Sequence, residues 1–170
     1  EGNNLEKIER DCFKDSRLEK MALPKTLVYI GYNVFENCKN LGTIYVEDGC
    51  EADLFSTGMQ NSTEIGPLPE TTINGVGVWD LRNCKEVSFP EGAERIGSYW
   101  FYGSKVESVI VSTSVREIGV GAFCECKNLR RVTFVPGSKL KKIGTGCFRD
   151  SGVERIAIPK EVEEIQNSAF

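Results

Sequence analysis

The stretch IGVGAFCECKNLRRVTFVP, residues 118–136, contains the pattern that the rest of the chain repeats. Counted from Ile118 as position zero, Phe123 lies at +5 and Cys126 at +8, and further apolar residues follow at +11, +14 and +16. The zero position recurs at spacings of 20 to 25 residues, at Ile8, Ile30, Cys50, Ile73, Ile96, Ile118, Ile143 and Ile165. A repeat of this length predicts a solenoid of about seven coils, in which each coil buries its apolar faces on its neighbours.

The phenylalanines follow the repeat closely. All nine fall in two columns, at +5 (Phe13, Phe35, Phe55, Phe101, Phe123, Phe148 and Phe170) and at +16 (Phe89 and Phe134). We predict that the +5 rings stack into one continuous core spine, where replacing a ring by Ala costs about 3–5 kcal/mol. An aromatic ligand groove is the less favoured interpretation, because periodic apolar stripes are usually core.

Each coil also carries the pattern L-x-x-I-x-V, whose alternation predicts a short strand. A proline often closes that strand, as at Pro24 and Pro136, because proline has no N–H to donate. Glycine often follows the zero position, as at Gly119 and Gly144, which suits a sharp turn with unusual backbone angles. Long helical periods are absent from the sequence, so we expect short extended or 3₁₀ pieces opposite the strands.

The repeat is weakest over residues 47–84, where Gly58 replaces the +8 residue and Val78 replaces the phenylalanine. We interpret this stretch as degenerate coils through which the register continues, so that residues 1–170 form one solenoid domain. Both ends fall inside a coil and carry no polar capping repeat, which predicts a fragment of a longer repeat protein. The same uncapped ends suggest end-to-end self-association.

Composition excludes several functions. A net charge of −4 without a basic stripe argues against nucleic acid, and no apolar run approaches the ~20 residues of a membrane helix. The chain has no histidine, and its seven cysteines form no C-x-x-C pair, so we predict no metal, no cofactor and no full disulfide framework. Six cysteines occupy columns expected to face inward, and Cys124 alone is expected to point outward without a base to activate it.

The combined pattern, best seen in VREIGVGAFCECKNLRRVTFVP and VERIAIPKEVEEIQNSAF, resembles the BspA-type leucine-rich repeat over almost the entire chain. The resemblance implies a β-rich leucine-rich-repeat solenoid with a parallel sheet on its concave face. It also implies surface or secreted proteins of bacteria and parasitic protists that adhere to host or matrix proteins.

Candidate binding residues come from two features. The outward centres of the strands predict a column across the concave face, with Tyr45 and Ile110 exposed; its members are Ala22, Tyr45, Glu64, Ser88, Ile110, Thr133 and Ala157. We add Arg131, from the charge pairs that flank the strands and otherwise indicate a solvated face. Trp79 and Tyr102 both occupy +6 and predict an aromatic patch of the kind that anchors interfaces; harmless edge packing is the alternative.

Three functional interpretations follow. The first is a non-catalytic protein-binding module, an adhesin-like segment of a surface or secreted protein whose partner is a protein or extracellular-matrix ligand. The second is an intracellular scaffold or architectural spacer in the cytoplasm, which suits cysteines without an evident pairing scheme. An enzyme is the least supported of the three interpretations. The glycosylation sequon at Asn61 is a weak indication of secretion.

Overall fold

The computed structural model describes residues 4–55, 57–58, 64–67, 69–73 and 76–170, with the backbone alone at 76, 77, 79 and 80. The chain winds as a solenoid of about seven coils, and the equivalent strands of successive coils pair in parallel, as the repeat predicted. Within the described residues its regular elements are short strands and one helical turn. They are β1 (Lys7–Ile8), β2 (Lys20–Leu23), β3 (Tyr29–Ile30), β4 (Thr43–Val46), β5 (Glu64–Pro67), β6 (Thr72–Ile73), β7 (Val76–Gly77), α1 (Val78–Leu81), β8 (Glu86–Ser88), β9 (Arg95–Ile96), β10 (Ser108–Val111), β11 (Glu117–Ile118), β12 (Arg131–Phe134), β13 (Lys142–Ile143) and β14 (Glu164–Ile165).

The strands of three or four residues are the predicted L-x-x-I-x-V segments. They form two parallel sheets, ordered β2-β4-β5 and β8-β10-β12. In the second sheet Val87, Val109 and Val132 are register partners and all three are buried. The alternation read from the sequence therefore places one apolar row in the core and leaves the other row outside.

The zero positions form a second set of parallel ladders on the side of the solenoid. These lateral sheets are β1-β3 and β9-β11-β13-β14. Ile96, Ile118 and Ile143 are aligned in the longer ladder and are fully buried. The isoleucine repeat that defined the period is thus a stacked core column.

Glycine follows four of the six lateral strands, and after β11 and β13 it is required for close approach between coils. A Cβ on Gly144 would lie 2.6 Å from the carbonyl carbon of Gly119, and one on Gly119 would lie 2.7 Å from the backbone nitrogen of Ser98. Neither glycine has a positive φ. The sequence-based explanation by unusual turn angles is therefore wrong at these positions, since the backbone of the preceding coil occupies the space that a side chain needs.

The phenylalanine spine is present as two separate stacks. Phe101, Phe123, Phe148 and Phe170 stack at centroid distances of 5.3, 5.5 and 5.5 Å, and Phe13 and Phe35 stack at 6.1 Å in the first coils. Phe55 leaves the column and meets another ring edge-on, so the predicted continuity is wrong at that coil.

The interruption coincides with the degenerate stretch. Strand β5 pairs with β4 but, within the described residues, does not pair with β8. The antiparallel hairpin β6–β7 and the helical turn α1 occupy the gap. The prediction that the register continues through residues 47–84 is therefore wrong for strand pairing, because this stretch lacks the alternating apolar residues that align successive coils.

The break divides the apolar interior into two cores. One core is built from the coils before the break and the other from those after it. Tyr99 and Val120 belong to later coils but pack in the first core. The Tyr99 hydroxyl donates to the carbonyl of Ala52 (3.1 Å) and accepts from the N–H of Leu54 (2.9 Å). The Tyr99 side chain therefore connects the coils before the break with the coils after it.

Segment 48–55 also crosses the outside of the later coils. Arg95, Glu117 and Lys142 are neighbours in one row of the lateral sheet. Arg95 pairs with Asp48 at 3.5 Å, and Lys142 lies 3.3 Å from both Glu117 and Glu51. The row of alternating charge holds the segment in place.

Beyond these ion pairs, Phe55 packs on the turn of a later coil. The guanidinium of Arg149 lies 4.8 Å from the ring centroid of Phe55, a cation–π geometry. The ring occupies the space in which Gly146 would carry a Cβ.

Cysteine placement differs from the sequence prediction at three positions. Cys12 and Cys84 are exposed, although their columns predicted inward side chains. Cys124 is 1% exposed, although it was the one expected to point outward. Its turn is covered by a neighbouring coil, whereas Cys12 lies in the first coil and Cys84 lies beside the break.

Candidate functional site

The outward side chains of β2, β4, β5, β8, β10 and β12 form the surface that we call the main-sheet face. In the second sheet Ser88, Ile110 and Thr133 are register partners, as the column predicted. In the first sheet Ala22 and Tyr45 are partners. The strip is therefore divided at the break and is not continuous across the molecule.

Exposure along the strip differs from expectation. Ile110 and Tyr45 are half-buried, although the alternation predicted exposed side chains, whereas Thr133 and Arg131 are exposed. Neighbouring side chains in the same row shield part of the larger residues. The accessible part of the face is mostly polar, with Ile110 as an apolar centre.

Two members of the predicted column lie elsewhere. Glu64 pairs with Thr43, and Gly66 takes the position opposite Tyr45. The prediction was wrong by two residues because Ile65 is the one clear strand residue of the degenerate coil, which is too little to fix the register from the sequence. Ala157 lies in a segment that forms no strand.

A cleft of about 370 Å³, the junction cleft, lies where the first main sheet ends. Its lining residues are Glu64, Ile65, Arg82, Tyr102, Gly103, Ser104, Lys105, Glu125, Lys127 and Asn128. It brings together Glu64 and Tyr102, which the sequence analysis selected for separate reasons.

Tyr102 is held firmly in this cleft. Its hydroxyl donates to Oε1 of Glu125 at 3.0 Å, and its ring centroid lies 6.1 Å from that of Tyr99. Burial and the adjacent Glu125 carboxylate raise the pKa of the Tyr102 phenol. Trp79 belongs to α1, but its side chain lies outside the described part of the structure, as does Asn61. The aromatic pair therefore stays a prediction.

Sequence reasoning missed Arg82. Its Nη2 donates to the backbone carbonyl of Tyr102, and burial lowers the pKa of the guanidinium while the Glu64 carboxylate opposes that shift. Arg82 follows α1 in the degenerate stretch, where the repeat gives no column to compare. Only the packing of Arg82 against later coils, which the structure shows, identifies it as a residue of the cleft.

A second cleft of about 530 Å³ opens where β10 and β12 begin, and we call it the strand-start cleft. It is lined by Glu107, Ser108, Asn128, Arg130 and Arg131. Asn128 belongs to both clefts, so the two form one continuous surface beside the Ile110–Thr133 part of the main-sheet face.

The buried thiol of Cys124 is unreactive in this environment. Burial raises the pKa of Cys124 to about 12, with the Glu125 carboxylate adding to the shift. The thiol is therefore protonated near neutral pH and is a poor nucleophile. Among the described residues, no group of three or more Cys, Asp or Glu side chains is arranged to hold a metal ion.

The described part of the chain contains no helix with the length and apolar character needed to cross a membrane.

Three solved structures are similar to this chain. The chain is similar to the pneumococcal vaccine antigen PcpA, with 18% identity, a TM-score of 0.51 and coverage of 95% of this chain and 50% of that one. It is also similar to a leucine-rich cell surface protein of Faecalibacterium prausnitzii (24% identity, TM-score 0.44, covering 96% and 42%) and a leucine-rich repeat protein of Bacteroides ovatus (20%, 0.37, 95% and 49%). The chain thus spans half or less of the length of these solved chains. No curated protein matches it.

Comparison with known families gives a match over nearly the whole chain. The family described as "BspA type Leucine rich repeat region" matches in six copies, over residues 2–74 and 67–170. The match covers the coils on both sides of the break, and it confirms the resemblance read from the repeats. This chain belongs to the BspA-type leucine-rich repeat family.

Proposed function

We propose that this chain is a non-catalytic protein-binding segment of a surface or secreted, adhesin-like protein, and that it engages its partner through the main-sheet face. Repeat modules of this family support protein interaction in general. The observation that carries the proposal is the juxtaposition of Ile110 and Thr133 with the two clefts that contain Tyr102 and Arg131. An apolar centre with a polar, charged surround resembles the anatomy of protein interfaces.

The test is binding to an immobilised extracellular-matrix preparation. A Ser88→Glu, Thr133→Glu double variant places two carboxylates beside Ile110 without entering the core, since both native side chains are exposed. We expect this variant to lose matrix binding while keeping the urea midpoint of the parent protein. A matched Val28→Glu, Tyr32→Glu variant, at residues 59% and 66% exposed away from the face, should bind normally. Equal binding by both variants contradicts the use of this face.

An intracellular scaffold is the second candidate, and the thiols favour it. All seven cysteines lie outside disulfide bonds, as in a reducing compartment. Brief protease treatment of intact native cells separates the two candidates, because only a surface protein releases peptides of this chain. Release only after cell lysis would contradict surface exposure.

A further inference from the structure

The strand-start cleft contains the guanidinium of Arg130, whose orientation is fixed by hydrogen bonds before any ligand binds. Arg130 Nη1 donates to the carbonyl oxygens of Lys127 (2.6 Å) and Gly152 (3.2 Å). A Cβ on Gly152 would lie 1.5 Å from the same nitrogen, so the guanidinium fits against this coil only because residue 152 has no side chain. A guanidinium held in one orientation loses less conformational freedom when it binds an anion.

Arg131 provides the second cation of the cleft. It is exposed at the start of β12 and makes no ion pair with any described residue. In the register of the sheet it lies beside Ser108 of β10. The hydroxyl of Ser108 and the amide of Asn128 add hydrogen-bonding groups to the same cleft.

The carboxylate in the lining does not cancel this charge. Glu107 lies 3.0 Å from Lys85 Nζ, so its charge is already paired outside the cleft. Two guanidinium groups therefore face a cleft whose one carboxylate is engaged elsewhere. Planar guanidinium groups suit carboxylates, which they bind through paired hydrogen bonds.

The surroundings distinguish between acidic partners. Ile110 and Thr133 follow the cleft on the same face and offer apolar contact. Glu86 lies in the same row as Ser108 and Arg131, so negative charge interrupts the positive charge along the row. A uniformly charged sulfated polysaccharide meets repulsion there, whereas a peptide that places one carboxylate near an apolar side chain does not.

We propose that the strand-start cleft binds a carboxylate side chain of an acidic peptide segment in a partner protein, with an apolar residue of that segment on Ile110. This inference deepens the proposed function and rests on it. Arg131 makes the direct ion pair, and Arg130 presents a preoriented guanidinium beside it.

The probe is a short fluorescein-labelled peptide of alternating Glu and Leu residues, followed by fluorescence anisotropy at low salt. Arg131→Glu should weaken binding by at least about tenfold, since a charged hydrogen bond contributes roughly 1.5–3 kcal/mol. Arg130→Lys keeps the charge but loses the fixed fork and should weaken binding several-fold. Lys139→Glu makes the same charge change at an exposed residue beyond the far end of β12 and should leave affinity within about twofold.

Three results overturn the inference: a matched peptide of Gln and Leu that binds equally well, an Arg131→Glu variant that binds normally, or binding of a heparin oligosaccharide where the acidic peptide does not bind. Arg131 is exposed and makes no ion pair with described residues, so its variant should fold even if Arg130→Lys does not. If Arg131→Glu preserves matrix binding and Ser88→Glu, Thr133→Glu abolishes it, the inference about the cleft is refuted and the proposed function is not. Peptide binding without any matrix binding would refute the proposed function alone.

Discussion

At the scale of the residue, small polar contacts between equivalent positions join successive coils. The Ser16 hydroxyl lies 3.3 Å from the Cys38 thiol, and the Ser104 hydroxyl lies 3.3 Å from that of Cys126. Each thiol also lies near a backbone carbonyl of the preceding coil, that of Phe101 in the case of Cys126. These residues all occupy position +8 of their coils, so this column alternates between Ser and Cys and forms a hydrogen-bonded pair between neighbouring coils.

Buried thiols make the fold sensitive to alkali. Cys147 is fully buried, and burial raises its pKa well above the ordinary value. Below the unfolded thiol pKa of about 8.5 both states hold the proton, and the thiol adds no pH dependence. Above it, the unfolded chain releases a proton that the folded chain keeps, so stability falls by about 1.4 kcal/mol per pH unit for each such thiol.

The measurement is the free energy of unfolding in urea between pH 7.5 and 10. Cys147→Ser should reduce the loss of stability over the alkaline part of this range. Cys12→Ser removes an exposed thiol and should leave the slope unchanged. A slope that is the same in both variants would contradict the assignment.

At the scale of the element, coil spacing is set where the lateral strands end. The N–H of Gly144 donates to the carbonyl of Ile118 at 2.8 Å, which brings the two backbones too close for a side chain. Gly42 donates in the same way to Glu19 at 2.9 Å, but a Cβ there would meet no atom closer than 3.9 Å. The two glycines make equivalent hydrogen bonds in different amounts of space.

Gly144→Ala should therefore destabilise the fold by about 1–3 kcal/mol or more, as overpacking does. Gly42→Ala should be neutral or stabilising by about 0.4–1 kcal/mol, because alanine restricts the unfolded chain. Urea denaturation of the two variants gives the comparison. Similar stabilities in both would mean that the coils separate at little cost.

At the scale of the whole molecule, the break between β5 and β8 divides the repeat into two cores that depend on a few residues for their contact. Tyr99 is the most deeply placed of these residues, with 0% exposure and two hydrogen bonds across the junction. The charged row on the lateral sheet and the ring of Phe55 add contacts nearer the surface. Repeat proteins unfold as one unit only while such interfaces stay strong.

Tyr99→Phe should cost about 1–3 kcal/mol, because the N–H of Leu54 and the carbonyl of Ala52 stay buried without the phenol. Chemical denaturation measures the loss. Tyr32→Phe is the control, since that ring is 66% exposed, and it should change stability by less than about 0.5 kcal/mol. Equal stabilities of the two variants would show that the halves are joined in another way.

The sequence by itself determined the architecture, because each coil repeats the same local rules. Ile118, Val132 and Phe123 occupy columns whose period gives the strands, the core and the family, and the structure places all three inside. The repeated order of residue types along the chain carries this information, and no contact between distant residues is needed to infer it. Thr133 and Ile110 could be placed on one face for the same reason.

Only the tertiary structure decided what happens where the pattern fails. Three features depend on contacts between residues about 20 to 90 positions apart. They are the position of Gly66 opposite Tyr45, the burial of Arg82 beneath Tyr102 and the crossing of segment 48–55 over later coils. A repeat predicts its neighbours only while the register holds. Beyond the break, burial of apolar surface and pairing of charge between the two halves fixed the arrangement, and with it the shape of both clefts.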